Sequence, residues 1–204
     1  MSCSKFDPQK HHRRSIRLPT YDYSQPGAYY ITIVTHQRAL LFGKIVDEEM
    51  QLSDFGKIAE ECWCAIPEHF PNVDLGAYVV MPNHVHGIIV IRADASASAR
   101  SRCTIYRAPT EQFQNPVTGS IPTIVRTYKA AVTRRIGREF NATDIWQRNY
   151  YEHIVRNQSD LQNKTDYINA NPSLWEQDDH NPRNIYPQFD PPLQVLVNGK
   201  LSLI

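Results

Sequence analysis

Residues 75–91 read LGAYVVMPNHVHGIIVI, two apolar runs at 75–81 and 84–91 separated only by Pro82 and Asn83. Runs of this length, rich in β-branched residues, read as strands, and so tight a connection makes them an antiparallel neighbouring pair. The second run sets His84 and His86 two apart, and the period of two in a strand turns both imidazoles to one face. Two neutral imidazoles side by side can share a divalent metal ion and leave most of its positions open for a phosphate oxygen, water and one further protein ligand. The same spacing also suits a structural pair of packed histidines, and the strand alone does not choose between them.

Outward from this pair, residues 28–35 (AYYITIVT) form an interior strand with Tyr30, Thr32 and Val34 on one face and Tyr29, Ile31 and Ile33 on the other. Ser53 caps a helix in which Ile58, Ala59, Cys62, Trp63 and Ile66 recur at helical spacing up to Pro67. Ser120 caps a second, with Pro122 in its first turn and a stripe of Ile121, Val125, Tyr128, Val132 and Ile136, ending in a turn at Asn141. Residues 145–155 (IWQRNYYEHIV) read as extended, and a capping box from Ser159 to Gln162 opens a last helix that Pro172 stops. Asn198 and Gly199, flanked by 193–197 and 200–204, predict a hairpin with a type I′ turn. The order of elements predicts an α+β protein, a ferredoxin-like antiparallel sheet with helices packed on it. Three segments follow: a basic arm over 1–28, a main domain over 29–175 with a loop insertion at 92–119, and an extension over 176–204 carrying the hairpin.

The chain has 204 residues, 41% hydrophobic and 21% charged, a globular composition large enough for a core without disulfides. Cys3, Cys62, Cys64 and Cys103 follow no framework spacing, and Cys62 and Cys64, two apart on a helix, point about 200° apart and cannot chelate together. No secretory pattern opens the chain, and no apolar run approaches the roughly 20 residues of a membrane span, so a cytoplasmic protein is expected.

The net charge of +1 hides an acidic stretch over 46–75 and a basic half carrying Arg100, Arg102, Arg107, Arg126, Lys129, Arg134, Arg135, Arg138, Arg148 and Arg156. Such a half can neutralise phosphates while the acidic part faces away. Solvated helix faces account for the charge equally well.

On the last helix Tyr167 and Asn171 are four apart and share a face, with Asn163 and Lys164 one turn earlier. Tyrosine offers a nucleophilic oxygen, asparagine a neutral oxygen ligand, and lysine a point charge for phosphate. A lone helical tyrosine is more often packing.

Taken together, AYVVMPNHVHGIIVI, WQRNYYEHIVRN and DYINANP resemble the REP-associated tyrosine transposases, relatives of the insertion-sequence-200-like HUH transposases, with the likeness running from Arg13 to Pro172. "HUH" stands for His, hydrophobic, His, here His84, Val85 and His86. The resemblance implies a ferredoxin-like sheet with the HUH strand central, Tyr167 as the catalytic nucleophile, and Asn171 completing a site for Mg²⁺ or Mn²⁺ with His84 and His86. It further implies cleavage and rejoining of single-stranded DNA at hairpin-forming repeats through a 5′-phosphotyrosine, by a monomer or a homodimer, in the cytoplasm and on the nucleoid when bound to DNA.

Lys164, Arg126, Lys129, Arg134, Arg135 and Arg148, with Arg13, Arg14 and Arg17 of the arm, are the candidate phosphate contacts. Since imidazoles must be neutral to bind metal, activity is expected to fall as pH drops through roughly 6.5. The competing reading is a domesticated protein that holds DNA hairpins without cutting them. A histidine-triad hydrolase is disfavoured because Ile88 stands where its third histidine belongs, and a cupin-like site because IIVI offers no carboxylate.

Overall fold

The computed structural model describes residues 21–93 and 117–185, together with the backbone of 194–197 and 200–203. Its centre is a four-stranded antiparallel sheet of β1 (Gly27–Val34), β4 (Val73–Met81), β5 (His84–Ile91) and β6 (Tyr151–Val155), in the order β4-β5-β1-β6. The histidine strand β5 is therefore interior, with His84 opposite Val34 and His86 opposite Thr32.

Alternation along the strands divides the sheet into two faces. Tyr29, Ile31, Ile33, Val85, Ile89 and Ile91 point to one, where they pack on helices α1 (Asp54–Cys64) and α3 (Ile121–Phe140) through Ile58, Trp63, Val125, Tyr128 and Val132. Ile31, Ile33 and Ile89 are wholly buried, each contributing roughly 1.5–3 kcal/mol of hydrophobic burial. Gly87 lets Trp63 lie against the strand, since a Cβ there would stand 2.2 Å from the indole ring. On the other face Tyr30 and Ile88 meet Ile168 of α4 (Gln158–Ala170), with Val79, Val90 and Leu161 around them. His84 and His86 share that α4 face by the same alternation.

Several local details differ from the sequence-based expectation. A hairpin of β2 (Gly43–Val46) and β3 (Glu49–Leu52) lies in the acidic stretch, its turn made by Asp47 and Glu48 at φ 50° and 64°. The first helix is followed by a separate turn, α2 (Ile66–His69). Of the extended run over 145–155 only Tyr151–Val155 joins the sheet, while Trp146 makes an isolated bridge to Thr35.

The α4 cap is Asn157, whose side chain accepts from the Asp160 amide at 2.9 Å, and not the Ser159 capping box. Ser120 precedes α3 in extended geometry but turns its hydroxyl to the Val117 carbonyl at 2.8 Å. A 3₁₀ turn (Trp175–Gln177) and α5 (Pro182–Ile185) follow α4. The C-terminal hairpin forms between β7 (Gln194–Val197) and β8 (Lys200–Leu203), with Val197 opposite Lys200. Arg13, Arg14 and Arg17 of the arm, and residues 94–116 of the predicted insertion, lie outside the described residues. Among the described residues no helix is long and apolar enough to cross a membrane.

Candidate active site

His84 and His86 are buried at 0% and 1% exposure, and their ring centroids are 4.4 Å apart. The neighbouring Asn83 fixes which nitrogen of His84 is basic. Asn83 donates its amide nitrogen to the carbonyls of Arg38 (3.1 Å) and His180 (2.8 Å), which turns its oxygen toward His84 Nδ1 at 2.9 Å. That oxygen can only accept, so His84 carries its proton on Nδ1 and presents a lone pair on Nε2. His86 Nδ1 lies 2.7 Å from the Tyr30 hydroxyl and 2.9 Å from that of Thr32, two groups that can each donate to it or accept from it. Both Nε2 atoms are buried without a hydrogen-bond partner.

Asn171 caps the C-terminal end of α4 and is likewise buried, its Nδ2 donating to Asp178 at 3.2 Å and its Oδ1 without a hydrogen-bond partner. Leaving a buried polar atom unsatisfied costs about 1–3 kcal/mol, so three lone-pair bearers gathered here point to an electropositive occupant. His84, His86 and Asp178 each offer a ligand atom, all within 4.8 Å of one another. Two imidazoles, an amide oxygen and a carboxylate make a donor set that fits a divalent cation.

Burial, then the charges of His86, His180 and Arg38, holds the His84 pKa well below the usual imidazole value. Burial first, then His180 and Lys164, pushes His86 down to about 3. The expectation of a loss of activity through pH 6.5 is therefore corrected: the fold itself keeps these imidazoles neutral well below that pH.

Tyr167 projects from α4 with its ring centroid 5.4 Å from that of His86 and 6.4 Å from that of Tyr30. It is 42% exposed and so accessible from outside the protein. Burial of the remainder, followed by the Asp178 charge, raises its pKa. One turn earlier Lys164 Nζ sits 5.0 Å over the Tyr30 ring, which brings a cation to the same face.

Two residues absent from the sequence-based site also belong here. Asp178 and His180 lie on the stretch after the 3₁₀ turn, and the His180 ring is 4.7 Å from His84. Arg38 Nη1 donates to His180 Nδ1 at 3.0 Å and to the Asp179 carbonyl at 3.0 Å. Their trace in the sequence is the run Asp178, Asp179, His180 beyond α4 and the 3₁₀ turn, which by itself does not show that the chain returns to β5.

The candidate phosphate contacts are spread more widely. Arg126 and Arg134 are exposed on α3, across the sheet from the histidines. Arg135 pairs with Glu61 at 2.8 Å and Glu139 at 3.7 Å. Lys129 donates to the Gln147 carbonyl, and burial lowers its pKa to about 8. Arg148 is exposed beside Gln147, whose amide donates to Val34 at the sheet end that carries His84. His153 is engaged with Asp160 at 2.9 Å, while Trp146 and Tyr150 pack at the edge of the core.

No family model matches the sequence. A protein of Haemophilus influenzae described as uncharacterized is 42% identical over 178 residues, covering 86% of this chain and 96% of its own. Another from the same organism, named "Putative REP-associated tyrosine transposase", is 23% identical over 151 residues, covering 74% of this chain and 73% of its own. A solved REP-associated tyrosine transposase, bound to a REP hairpin, aligns over 94% of this chain and 100% of its own with a TM-score of 0.50 and 17% identity.

Sheet order, flanking helices and this structural likeness define an α+β protein of the HUH transposase fold. The chain belongs to one family with the 42%-identical Haemophilus protein, and it is similar in sequence to the putative REP-associated tyrosine transposase and in fold to the solved one.

Proposed function

We propose that this chain is a single-strand DNA transposase, an endonuclease and strand transferase that cleaves and rejoins hairpin-associated DNA through Tyr167. The observation that carries the reading is the set of three buried polar atoms without a hydrogen-bond partner, His84 Nε2, His86 Nε2 and Asn171 Oδ1, with the ring of the exposed Tyr167 5.4 Å from that of His86. Lone pairs left unsatisfied by the protein suit a cation, and a tyrosine beside a cation suits attack on a phosphodiester. The REP hairpin bound by the solved relative supports a folded single strand as the substrate here.

In the proposed reaction the Tyr167 oxygen attacks phosphorus in line. The new bond joins that oxygen to the 5′-phosphate, the bond from phosphorus to the 3′-oxygen breaks, and one proton is lost from the phenol as one is gained by the 3′-hydroxyl. The exchange of one ester for another conserves its energy, so a second 3′-hydroxyl can reverse it and join strands. Mg²⁺ or Mn²⁺ held by His84, His86 and Asn171, with Asp178 beside them, would supply charge neutralisation at a non-bridging phosphate oxygen. Asn83 holds the His84 imidazole with its proton on Nδ1, Tyr30 and Thr32 orient the His86 ring through its Nδ1, and Lys164 provides a positive charge for the strand. Arg148 extends that charge along the histidine end of the sheet, while Arg126 and Arg134 are placed to meet DNA only where it reaches around to the α3 face.

The test is incubation of purified protein with labelled single-stranded DNA carrying the hairpin repeats that flank its gene, with Mg²⁺ or Mn²⁺, followed by a denaturing gel. A metal-dependent covalent adduct that Tyr167→Phe abolishes is expected. Tight binding of cleavage-competent DNA without an adduct would instead identify a hairpin-binding protein that does not cut.

A further inference from the structure

Tyr151 opens β6, the edge strand of the sheet, and stands opposite Thr32. Cross-strand partners share a face, so its side chain lies on the face of Tyr30, Thr32 and His86. It is 49% exposed, the most exposed large apolar side chain among the described residues. Its ring meets the Tyr30 ring edgewise at 6.5 Å and 71°, as Tyr167 does at 6.4 Å and 75°. Tyr30 is a rigid support for both, buried to 4% exposure, bonded through its hydroxyl to His86 and covered by Lys164.

Single exposed apolar side chains are ordinary on a protein surface, so it is the position of this ring that carries meaning. Here the ring shares its support, Tyr30, with the proposed nucleophile, lies on the same face as His86, and Lys164 sits over that same support. That combination of aromatic surface, cation and phosphate-directed chemistry fits a nucleobase of a single strand, whose flat π-face stacks on tyrosine without regard to sequence.

We propose that Tyr151 is the stacking platform for an unpaired base of the DNA strand whose phosphate is presented to Tyr167. The subsite rests on the single-strand DNA reading above, and it gives that reading a structural reason to prefer unpaired over duplex DNA around the scissile bond. Bases within a duplex are stacked on each other and have no face free for the tyrosine.

The experiment uses the full chain and two DNA hairpin probes, each with single-stranded flanks of about eight nucleotides. One probe carries thymidines in its flanks and the other carries abasic residues with the same phosphates. Binding is followed by fluorescence anisotropy. Wild type is expected to prefer the thymidine probe by on the order of 10-fold. Tyr151→Ala should remove most of that preference while leaving affinity for the abasic probe unchanged, and Tyr151→Trp should retain it.

Equal affinity of wild type for the two probes, or no binding to either, overturns the subsite. So does a Tyr151→Ala variant that loses affinity equally for both or for neither. The nucleophile is read separately through the wild-type covalent adduct. An adduct without a Tyr151-dependent base preference overturns the subsite alone, whereas a Tyr151-dependent preference with no adduct on the hairpin DNA that flanks the gene upholds it and overturns cleavage.

Discussion

Asn83 is predicted to set the metal affinity of the site without touching the metal. Replacing it with alanine removes the oxygen that accepts from His84 Nδ1 at 2.9 Å and both amide donations, to Arg38 at 3.1 Å and His180 at 2.8 Å. The His84 imidazole then loses the contact that selects its tautomer, and two carbonyls beside a fully buried position lose a donor. Loss of an outer partner of a ligating histidine typically lowers metal affinity by about 10–100-fold. The unsatisfied buried groups should cost about 2–4 kcal/mol of stability if part of each desolvation penalty is relieved by relaxation.

The assay is Mn²⁺ titration followed by electron paramagnetic resonance, with urea unfolding of the same samples. Asn83→Ala should be folded, less stable, and at least 10-fold weaker for Mn²⁺. A folded Asn83→Ala that binds Mn²⁺ as tightly as wild type would refute the tautomer argument.

Three further outcomes follow from the same geometry. Saturating Mn²⁺ at 100 times its dissociation constant should stabilise the chain by about 2.7 kcal/mol, read as a rise in melting temperature that His84→Ala abolishes. Without metal, stability should fall as pH drops below 6.5, because the unfolded chain takes up protons that the folded His84 and His86 refuse. For His86, depressed to about 3, the loss between pH 6.5 and pH 5 amounts to about 2 kcal/mol, measurable as a lower urea midpoint that His86→Asn makes less pH-sensitive. Gly87→Ala should destabilise by about 1–3 kcal/mol in thermal unfolding, because its methyl would meet the Trp63 ring at 2.2 Å.

The strands, the two long helices and the histidine pair were legible because each repeats a period that burial enforces: two along β5, three to four along α3. The β2–β3 hairpin was not, since Asp47 and Glu48 take left-handed conformations that turn chemistry usually assigns to glycine or asparagine. Tyr167 and Asn171 could be placed on one face by their spacing, and the fold sets that face against the histidines. Asp178 and His180 escaped because their segment has no periodicity, and nothing local shows that the chain turns back onto β5. Charge was legible as charge but not as position: Arg135 meets Glu61 on a different helix, a pairing fixed only when α1 and α3 pack together.

The most direct test of the central claim is to isolate the covalent product of protein and labelled single-stranded DNA, digest it, and locate the nucleotide by mass spectrometry. A phosphodiester on the peptide containing Tyr167, absent when metal is removed, is the predicted result. A nucleotide attached instead to Tyr151, the other exposed tyrosine among the described residues, would contradict the assignment of the nucleophile.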